Sequence, residues 1–256
     1  WARTQNEAAN LQSDRQNHRF LPGVPFPPNL RISSDNDEAF SDKDLVIVAV
    51  PSKSFRDNVK MVSQNLSGAT ILVSATKGLE SISGKRMTQI LLEELGSEVS
   101  RDICALSGPN LAKEIIQGEP SSTVVASGNS STAQKVQSLI ASPKFRVYWS
   151  TDVAGVEFGG ALKNIIGIGA GICDGLGFGD NTKAAFITRG LAEIIRLGVA
   201  GGANPLTFSG LSGIGDLIAT CYSKHSRNSV KLVYCLYFVK IFLSIFVLFC
   251  KIVRKY

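Results

Sequence analysis

Histidine is nearly absent from these 256 residues, with only His18 and His225 present. Two isolated imidazoles argue against a His-rich metal site and against a Ser-His-Asp triad. Cysteine is sparse as well. Cys104, Cys173, Cys221, Cys235 and Cys250 form no C-x-x-C pair and no metal-ligand spacing, so no metal centre is expected. An odd, scattered set in a chain of this length reads as reduced, intracellular cysteine. Acidic residues are missing from the stretch 229–256, which carries Lys231, Lys240, Lys251, Arg254 and Lys255. Those five account for most of the formal charge of +6: without them 22 basic residues face 21 acidic ones, a net of +1. The globular part therefore calls for no polyanionic partner such as nucleic acid. Residue 1 is Trp rather than Met, and no charged, apolar and small-residue run marks a secretory signal. Further sequence, any targeting peptide included, is expected ahead of Trp1.

The composition is that of a folded protein, with 44% hydrophobic and 19% charged residues. Short apolar, β-branched runs at 44–50, 70–75, 103–107, 123–127 and 145–149 read as strands. The first, DLVIVAV closed by Pro51, is a continuous apolar run after Asp44, as expected of a strand covered on both faces. Between the runs, 54–66, 85–95, 111–117 and 131–141 carry apolar residues at helical spacing. Alternating strands and helices predict an α/β fold, a partial Rossmann-type parallel sheet domain with right-handed crossovers over residues 1–150. An incomplete all-helical domain is expected over 151–228. Within it 156–172 is apolar almost all round, 181–199 reads as a second long helix with Asp180 as its N-cap, and 211–222 turns helical after its glycines.

The third segment, 229–256, lacks Gly, Pro, Asp and Glu and is dominated by Phe, Leu, Ile, Val, Tyr and Lys. It reads as aberrant sequence from a retained intron or a wrong gene model. The competing reading is a membrane helix over 232–253, long enough to cross a hydrocarbon core of about 30 Å. A membrane partner is expected only in that case.

Four clusters carry candidate chemistry. Lys77 follows a predicted strand, where open α/β sheets bind ligands. Gly108 and Asn110 lie at a strand-to-helix turn, with Asn110 a candidate cap beside free backbone N–H groups. Lys163 and Asn164 place an ammonium and a carboxamide inside the apolar helical run, and burial lowers a lysine pKa toward the range of proton transfer. Asp216 and Thr220, four residues apart, share one helix face, and Asp216 supplies a partner for a buried ammonium. Beyond them come Ser226, Arg227 and Asn228, with Arg227 offering a planar fork suited to phosphate. Together these groups suit a small anionic substrate whose carbonyl or hydroxyl exchanges a proton.

The chain resembles the NAD(P)-dependent glycerol-3-phosphate dehydrogenases of the bacterial and plant plastid type. The resemblance rests on FLPGVPFPPNLRIS at 20–33, VAVPS at 48–52, ATKGLE at 75–80 and SGPNLAKEI at 107–115. It continues in GGALKNIIGIGAGICDGLGFGDN at 159–181, ITRGLAEI at 187–194 and GIGDLIATCYSKHSRN at 213–228. It implies a Rossmann domain followed by a helical domain, with NAD or NADP and a small-molecule substrate between them. The implied reaction interconverts sn-glycerol 3-phosphate and dihydroxyacetone phosphate. By resemblance Lys163 is the proton acceptor and donor, and Asp216 holds it. Lys77, Gly108, Asn110, Asn164, Thr220, Ser226, Arg227 and Asn228 hold substrate. Arg3, Val50, Pro51, Lys77, Ala112 and Arg227 line the cofactor. A homodimer in the cytoplasm or plastid stroma is implied for the full-length protein.

The family's opening strand and G-x-G-x-x-G loop have no counterpart here, and Asn110 stands where relatives often carry Ser or Thr. Two alternatives follow, a catalytically inactive fragment of that enzyme or another β-hydroxyacid-type dehydrogenase. Because the loop cradles the cofactor pyrophosphate in such folds, residues 1–256 alone are predicted not to turn over glycerol 3-phosphate. Expression in a host lacking the enzyme, followed by NADH oxidation with dihydroxyacetone phosphate, checks this; substantial activity in soluble protein contradicts it.

Overall fold

The computed structural model describes residues 1–67, 69–96 and 103–222. Ser226, Arg227, Asn228 and the segment 229–256 lie outside the described residues. The sheet has five strands in the order of the chain: β1 (Leu45–Val48), β2 (Ile71–Ser74), β3 (Ile103–Ser107), β4 (Ser121–Ala126) and β5 (Phe145–Ser150). Each falls on a run that reads as a strand in the sequence. Two helices precede β1 where apolar periodicity marks none: α1 (Gln5–Asp14), capped by the Thr4 hydroxyl accepting from the Glu7 N–H, and α2 (Asn36–Phe40). Both have little buried apolar surface, so no stripe announces them.

The expectation of a wholly parallel sheet fails at one pair. β1 with β2, β2 with β3, and β4 with β5 are parallel, but β3 and β4 run antiparallel. The connection explains it. The helix between β3 and β4, α5 (Ala112–Ile116), has five residues, which spans only about 7 Å. The chain therefore re-enters the sheet at the end it has just left. The helix between β4 and β5, α6 (Ser130–Ile140), has 11 residues and carries the chain back along a full strand length.

Helices pack on both faces, except over the edge strand β1, where Ile47 is 49% exposed and the expectation of a strand covered on both faces fails. On one, Phe55 and Val59 of α3 (Phe55–Val62) and Met87, Ile90 and Leu91 of α4 (Met87–Leu95) pack on Val46, Leu72 and Ile103. On the other, Val136 of α6 packs on Ile71, Val73, Cys104, Val125 and Val147. Strand alternation then puts Ala105 and Ala126 on the α3–α4 face, where they meet Val156. Val156 belongs to α7 (Val153–Gly175), so the sheet and the following helices share one continuous packed surface.

The last part of the described chain is helical: α7, α8 (Asp180–Ala200), a 3₁₀ turn at Pro205–Ser209, a π-helical turn at Leu211–Gly215, and α9 (Asp216–Tyr222). The Asp152 carboxylate starts α7 by accepting from the Gly155 N–H at 2.9 Å, and its other oxygen accepts from Thr207 Oγ1 at 2.6 Å. The expected cap of α8 is displaced by one residue. Gly179 is the N-cap and Asp180 the first helical residue, where its charge faces the positive end of the helix dipole. By length and composition α7 could cross a membrane, yet 61% of its most apolar window is buried within the protein. Leu162, Ile166 and Ala170 of α7 form a core with Ile187, Ile194, Phe208 and Leu217.

Glycine makes the closest approaches possible. A Cβ on Gly159 would overlap the carbonyl oxygen of Ser212, and backbone on both sides leaves neither partner free to turn away. Gly159→Ala is expected to destabilise the fold by about 1–3 kcal/mol, with Tm falling about 2–4 °C for each kcal/mol. Thermal unfolding followed by circular dichroism measures it, and an unchanged midpoint contradicts the packing described.

Candidate active site

β1, β2 and β3 are parallel, so their carboxyl ends converge on one edge of the sheet. The loops leaving β1 and β2 are fastened together there. Thr76 Oγ1 donates to the Val50 carbonyl at 2.8 Å, and the Ala75 N–H donates to the Val48 carbonyl at 2.9 Å. Gly78, at φ +139°, approaches Ser52 so closely that a Cβ would stand 2.8 Å from its Oγ. The segment Ser74-Ala75-Thr76 is thereby fixed, and Lys77 leaves it toward β3.

Lys77 Nζ donates to the Gly108 carbonyl at 2.8 Å and pairs with Asp216 Oδ2 at 2.7 Å. The other oxygen of the same carboxylate, Asp216 Oδ1, accepts from Lys163 Nζ. Asp216 is 1% exposed and Lys163 8%. Gly160 lets α7 pass this close, since a Cβ there would run into Ser107 Oγ and reach 3.5 Å from Lys77 Cδ. Two ammonium groups thus share one buried carboxylate, which leaves the cluster with net positive charge. Burial, followed by the neighbouring Lys77 charge, lowers the Lys163 pKa to about 8; Asp216 opposes both.

Lys77, Gly108, Lys163 and Asp216 are therefore assembled by direct bonds, and Thr220 is buried on the same face of α9 as Asp216. Asn110 joins them indirectly and corrects one expectation. It does not cap α5; Leu111 holds that position without a side-chain cap. Asn110 Nδ2 instead donates to Thr123 Oγ1 at 2.9 Å, and Thr123 Oγ1 donates to the Ser107 carbonyl at 2.9 Å. The bridge from β4 draws the carboxamide inward, leaving Asn110 Oδ1 and Ser107 Oγ buried without a protein partner. Val50 is half-buried; Pro51, Ala112, Asn164 and Arg3 are exposed. Arg3 is at the amino end beside Trp1, whose indole N–H donates to Asn36.

Sequence reading passed over several residues that shape this site. Thr76 and Thr123 are single hydroxyls in strand and loop with no motif to mark them. Glu157 had the same signal as Lys163, a charge inside an apolar run, and is 9% exposed. Its carboxylate accepts from the Thr88 N–H and from Thr88 Oγ1, at 2.9 and 2.6 Å, and from Arg86 Nη1 at 2.5 Å.

Both halves of the chain are similar to known proteins. The family described as NAD-dependent glycerol-3-phosphate dehydrogenase N-terminus matches residues 1–133, and its C-terminal counterpart matches residues 152–231. A glycerol-3-phosphate dehydrogenase [NAD(P)+] of Dehalococcoides mccartyi is 51% identical over 229 residues, covering 89% of this chain and 64% of that protein. One from Chlorobium phaeobacteroides is 50% identical over 228 residues, covering 89% and 68%. Among solved structures, the glycerol-3-phosphate dehydrogenase of Coxiella burnetii aligns with a TM-score of 0.83 at 34% identity, covering 90% of this chain and 69% of that one. The chain thus spans about two-thirds of the length of these relatives. With matches to both halves and a common fold, the chain belongs to the NAD-dependent glycerol-3-phosphate dehydrogenase family.

Proposed function

We propose that the whole protein interconverts sn-glycerol 3-phosphate and dihydroxyacetone phosphate with NAD or NADP, the activity named for its relatives. The observation that carries this reading is the Lys77–Asp216–Lys163 cluster. A carbonyl that accepts hydride develops negative charge on its oxygen, and a preorganised ammonium stabilises it. Lys163 then gives that oxygen its proton, and takes the proton from the C2 hydroxyl in the reverse direction. Lys77, bonded to the opposite oxygen of Asp216, adds a second positive charge for the anionic substrate. Asn110 Oδ1, a buried acceptor without a protein partner, offers chemistry that a polyol hydroxyl satisfies.

The residues present also suit a dinucleotide. The Val50–Pro51 turn and exposed Ala112 border the carboxyl edge of the sheet, where open α/β sheets take such ligands. Val50, Pro51, Lys77 and Ala112 would hold the nicotinamide end, and Arg3 the adenosine end. Bound, the cofactor supplies or accepts the hydride. Asn164 beside Lys163, Thr220, Gly108, Ser226, Arg227 and Asn228 complete the proposed substrate contacts, Arg227 also touching cofactor. The same reading assigns 1–150 to cofactor binding and 151–228 to substrate, supported by the sheet ending at Ser150 and α7 beginning at Val153. It also makes the whole protein a homodimer of the cytoplasm or plastid stroma.

In the whole protein, Lys163→Met is expected to cut turnover roughly 10²–10⁴-fold with little change in cofactor affinity. Near-normal turnover removes the assignment. Because Lys163 titrates at about 8, wild-type ketone reduction, which needs the ammonium, declines as pH rises through that value. Alcohol oxidation, which needs the free amine, rises through it. pH–rate profiles in both directions measure this, and parallel profiles contradict the role.

Arg227→Lys tests the phosphate contact. Losing the planar fork is expected to raise KM for dihydroxyacetone phosphate and to affect unphosphorylated dihydroxyacetone far less. Steady-state kinetics with both ketones decides it, since equal losses place Arg227 away from the phosphate.

A further inference from the structure

The Glu157 carboxylate takes no part in the chemistry just described, yet it is built into the structure as firmly as Asp216. It projects from the first turns of α7 and accepts three hydrogen bonds from the amino end of α4. Oε1 takes the Thr88 N–H, and Oε2 takes Thr88 Oγ1 and Arg86 Nη1. Thr88 is the second residue of α4, so its N–H is one of the donors that a helix leaves unpaired. A neighbouring one, the N–H of Arg86, is satisfied from within by Gln89 Oε1 at 2.9 Å. The start of α4 is thus capped in part by its own chain and in part by a carboxylate 69 residues further on. A negative group at this end of a helix also meets the positive end of its dipole.

We propose that Glu157 is a positioning residue, clamping α7 to the amino end of α4 so that Lys163 is seated against Asp216 and beside Lys77. This rests on the role proposed above for Lys163. Six residues separate Glu157 from Lys163, about 9 Å along a rigid helix. Between them Gly159 lies against the Ser212 carbonyl and Gly160 against Ser107 and Lys77. Both are contacts that a small slide of α7 would open or turn into collisions. α4 is anchored to the sheet through Met87, Ile90 and Leu91. The clamp therefore ties the helix bearing Lys163 to the layer bearing Lys77. The charged groups facing Lys163 are Lys77 and Asp216, with the Cys221 thiol also within electrostatic reach from α9. Glu157 is not among the largest influences on Lys163 and its carboxylate is engaged by Arg86 and Thr88, so the role assigned to it is one of position.

The test replaces Glu157 with Gln in the full chain. The amide keeps the shape but in either orientation sets its NH2 against a donor, the Thr88 N–H or Arg86 Nη1. ¹³Cε-lysine NMR then follows the titration of Lys163, a readout that needs no turnover. Released from the clamp, Lys163 loses part of its burial, of its proximity to Lys77 and of the opposing Asp216 contact, whose net effect in place is to lower its pKa. Its midpoint is expected to move upward by about one pH unit or more. Thr88→Ala, which removes one of the three bonds, shifts it less in the same direction, and Thr88→Ser restores the wild-type value. Val136→Ala, a core truncation under α6 away from the clamp, lowers Tm and leaves the midpoint in place.

In the whole protein the same Glu157→Gln change is expected to lower kcat for ketone reduction by about tenfold or more while KM changes little, as misplacement of a catalytic group does. A folded Glu157→Gln protein with an unmoved Lys163 midpoint overturns the proposal. If that variant does not fold, an unmoved midpoint in Thr88→Ala overturns it instead. The two readings fail separately. Should Lys163→Met retain turnover, the assignment of Lys163 falls, and its NMR titration still reports on the clamp.

Discussion

One buried carboxylate gathers two lysines, one from the edge of the sheet and one from the helices. Asp216, at the start of α9, is bonded through one oxygen to Lys77 at the end of β2 and through the other to Lys163 in the middle of α7. Burying the Lys163–Asp216 pair is costly, and mutual attraction offsets that cost only when geometry and remaining hydrogen bonds are satisfied. Removing the carboxylate would leave the buried Lys163 ammonium uncompensated, a loss of about 3–5 kcal/mol for a broken pair of this kind, and would leave the part-buried Lys77 with the Gly108 carbonyl alone. The arrangement is therefore poor as a device for stability alone. It makes better sense as a device for function: two cations against one anion leave a local excess of positive charge in a protein whose residues 1–228 are nearly neutral. The anionic substrate proposed above would complete the balance that the fold leaves open.

The rest of the structure can be understood as what is needed to bring these three side chains together. Lys77 and Lys163 approach from opposite layers, and neither could reach Asp216 if α7 were held at an ordinary helix-to-sheet distance. Small residues remove that distance. Val156 seats on Ala105 and Ala126, Gly160 clears Ser107 and Lys77, and Gly159 admits the Ser212 carbonyl. The π-helical turn at Leu211–Gly215 delivers Asp216 at the first position of α9, with its side chain turned inward. Such a turn costs regular helical hydrogen bonding and occurs often at functional sites. Cluster, glycine contacts and turn form one unit, and a change in any of them is felt in the others.

Much of this was legible in the sequence, for identifiable reasons. Strands β1 to β5 and the main helices lie where apolar runs and helical periodicity place them, because each is buried against a neighbour that imposes its period. That Lys163 needs a partner followed from charge, since an ammonium in an apolar helix requires one; that Asp216 is the partner came from the resemblance. Other features were not legible because they depend on distances between elements that periodicity does not encode. β4 is antiparallel because α5 is too short to carry the chain back. Asn110 abandons the cap because Thr123, from another strand, offers its side chain a partner. α1 and α2 bury too little to leave a pattern, and Asp180 missed the cap by one residue, within the ordinary uncertainty of helix ends.

Lys77 shows how sequence and structure divide the argument. Its place after a strand suggested ligand contact, and nothing in its neighbourhood named Asp216, 139 residues away, as its partner. That contact changes what Lys163 can do. Without Lys77, Asp216 would serve Lys163 alone and favour its charged form. By bonding the other oxygen, Lys77 shares that carboxylate and sets a second positive charge nearby, while burial penalises the ammonium further. Desolvation first, and then repulsion from Lys77, outweigh the pairing and bring the Lys163 pKa down to about 8 from its ordinary 10.5. A proton exchanged with substrate near neutral pH must be neither too tightly nor too loosely held. In this protein burial among the helices and a lysine from the edge of the sheet together set that balance, so the proposed proton-transfer group is completed only when both layers are in place.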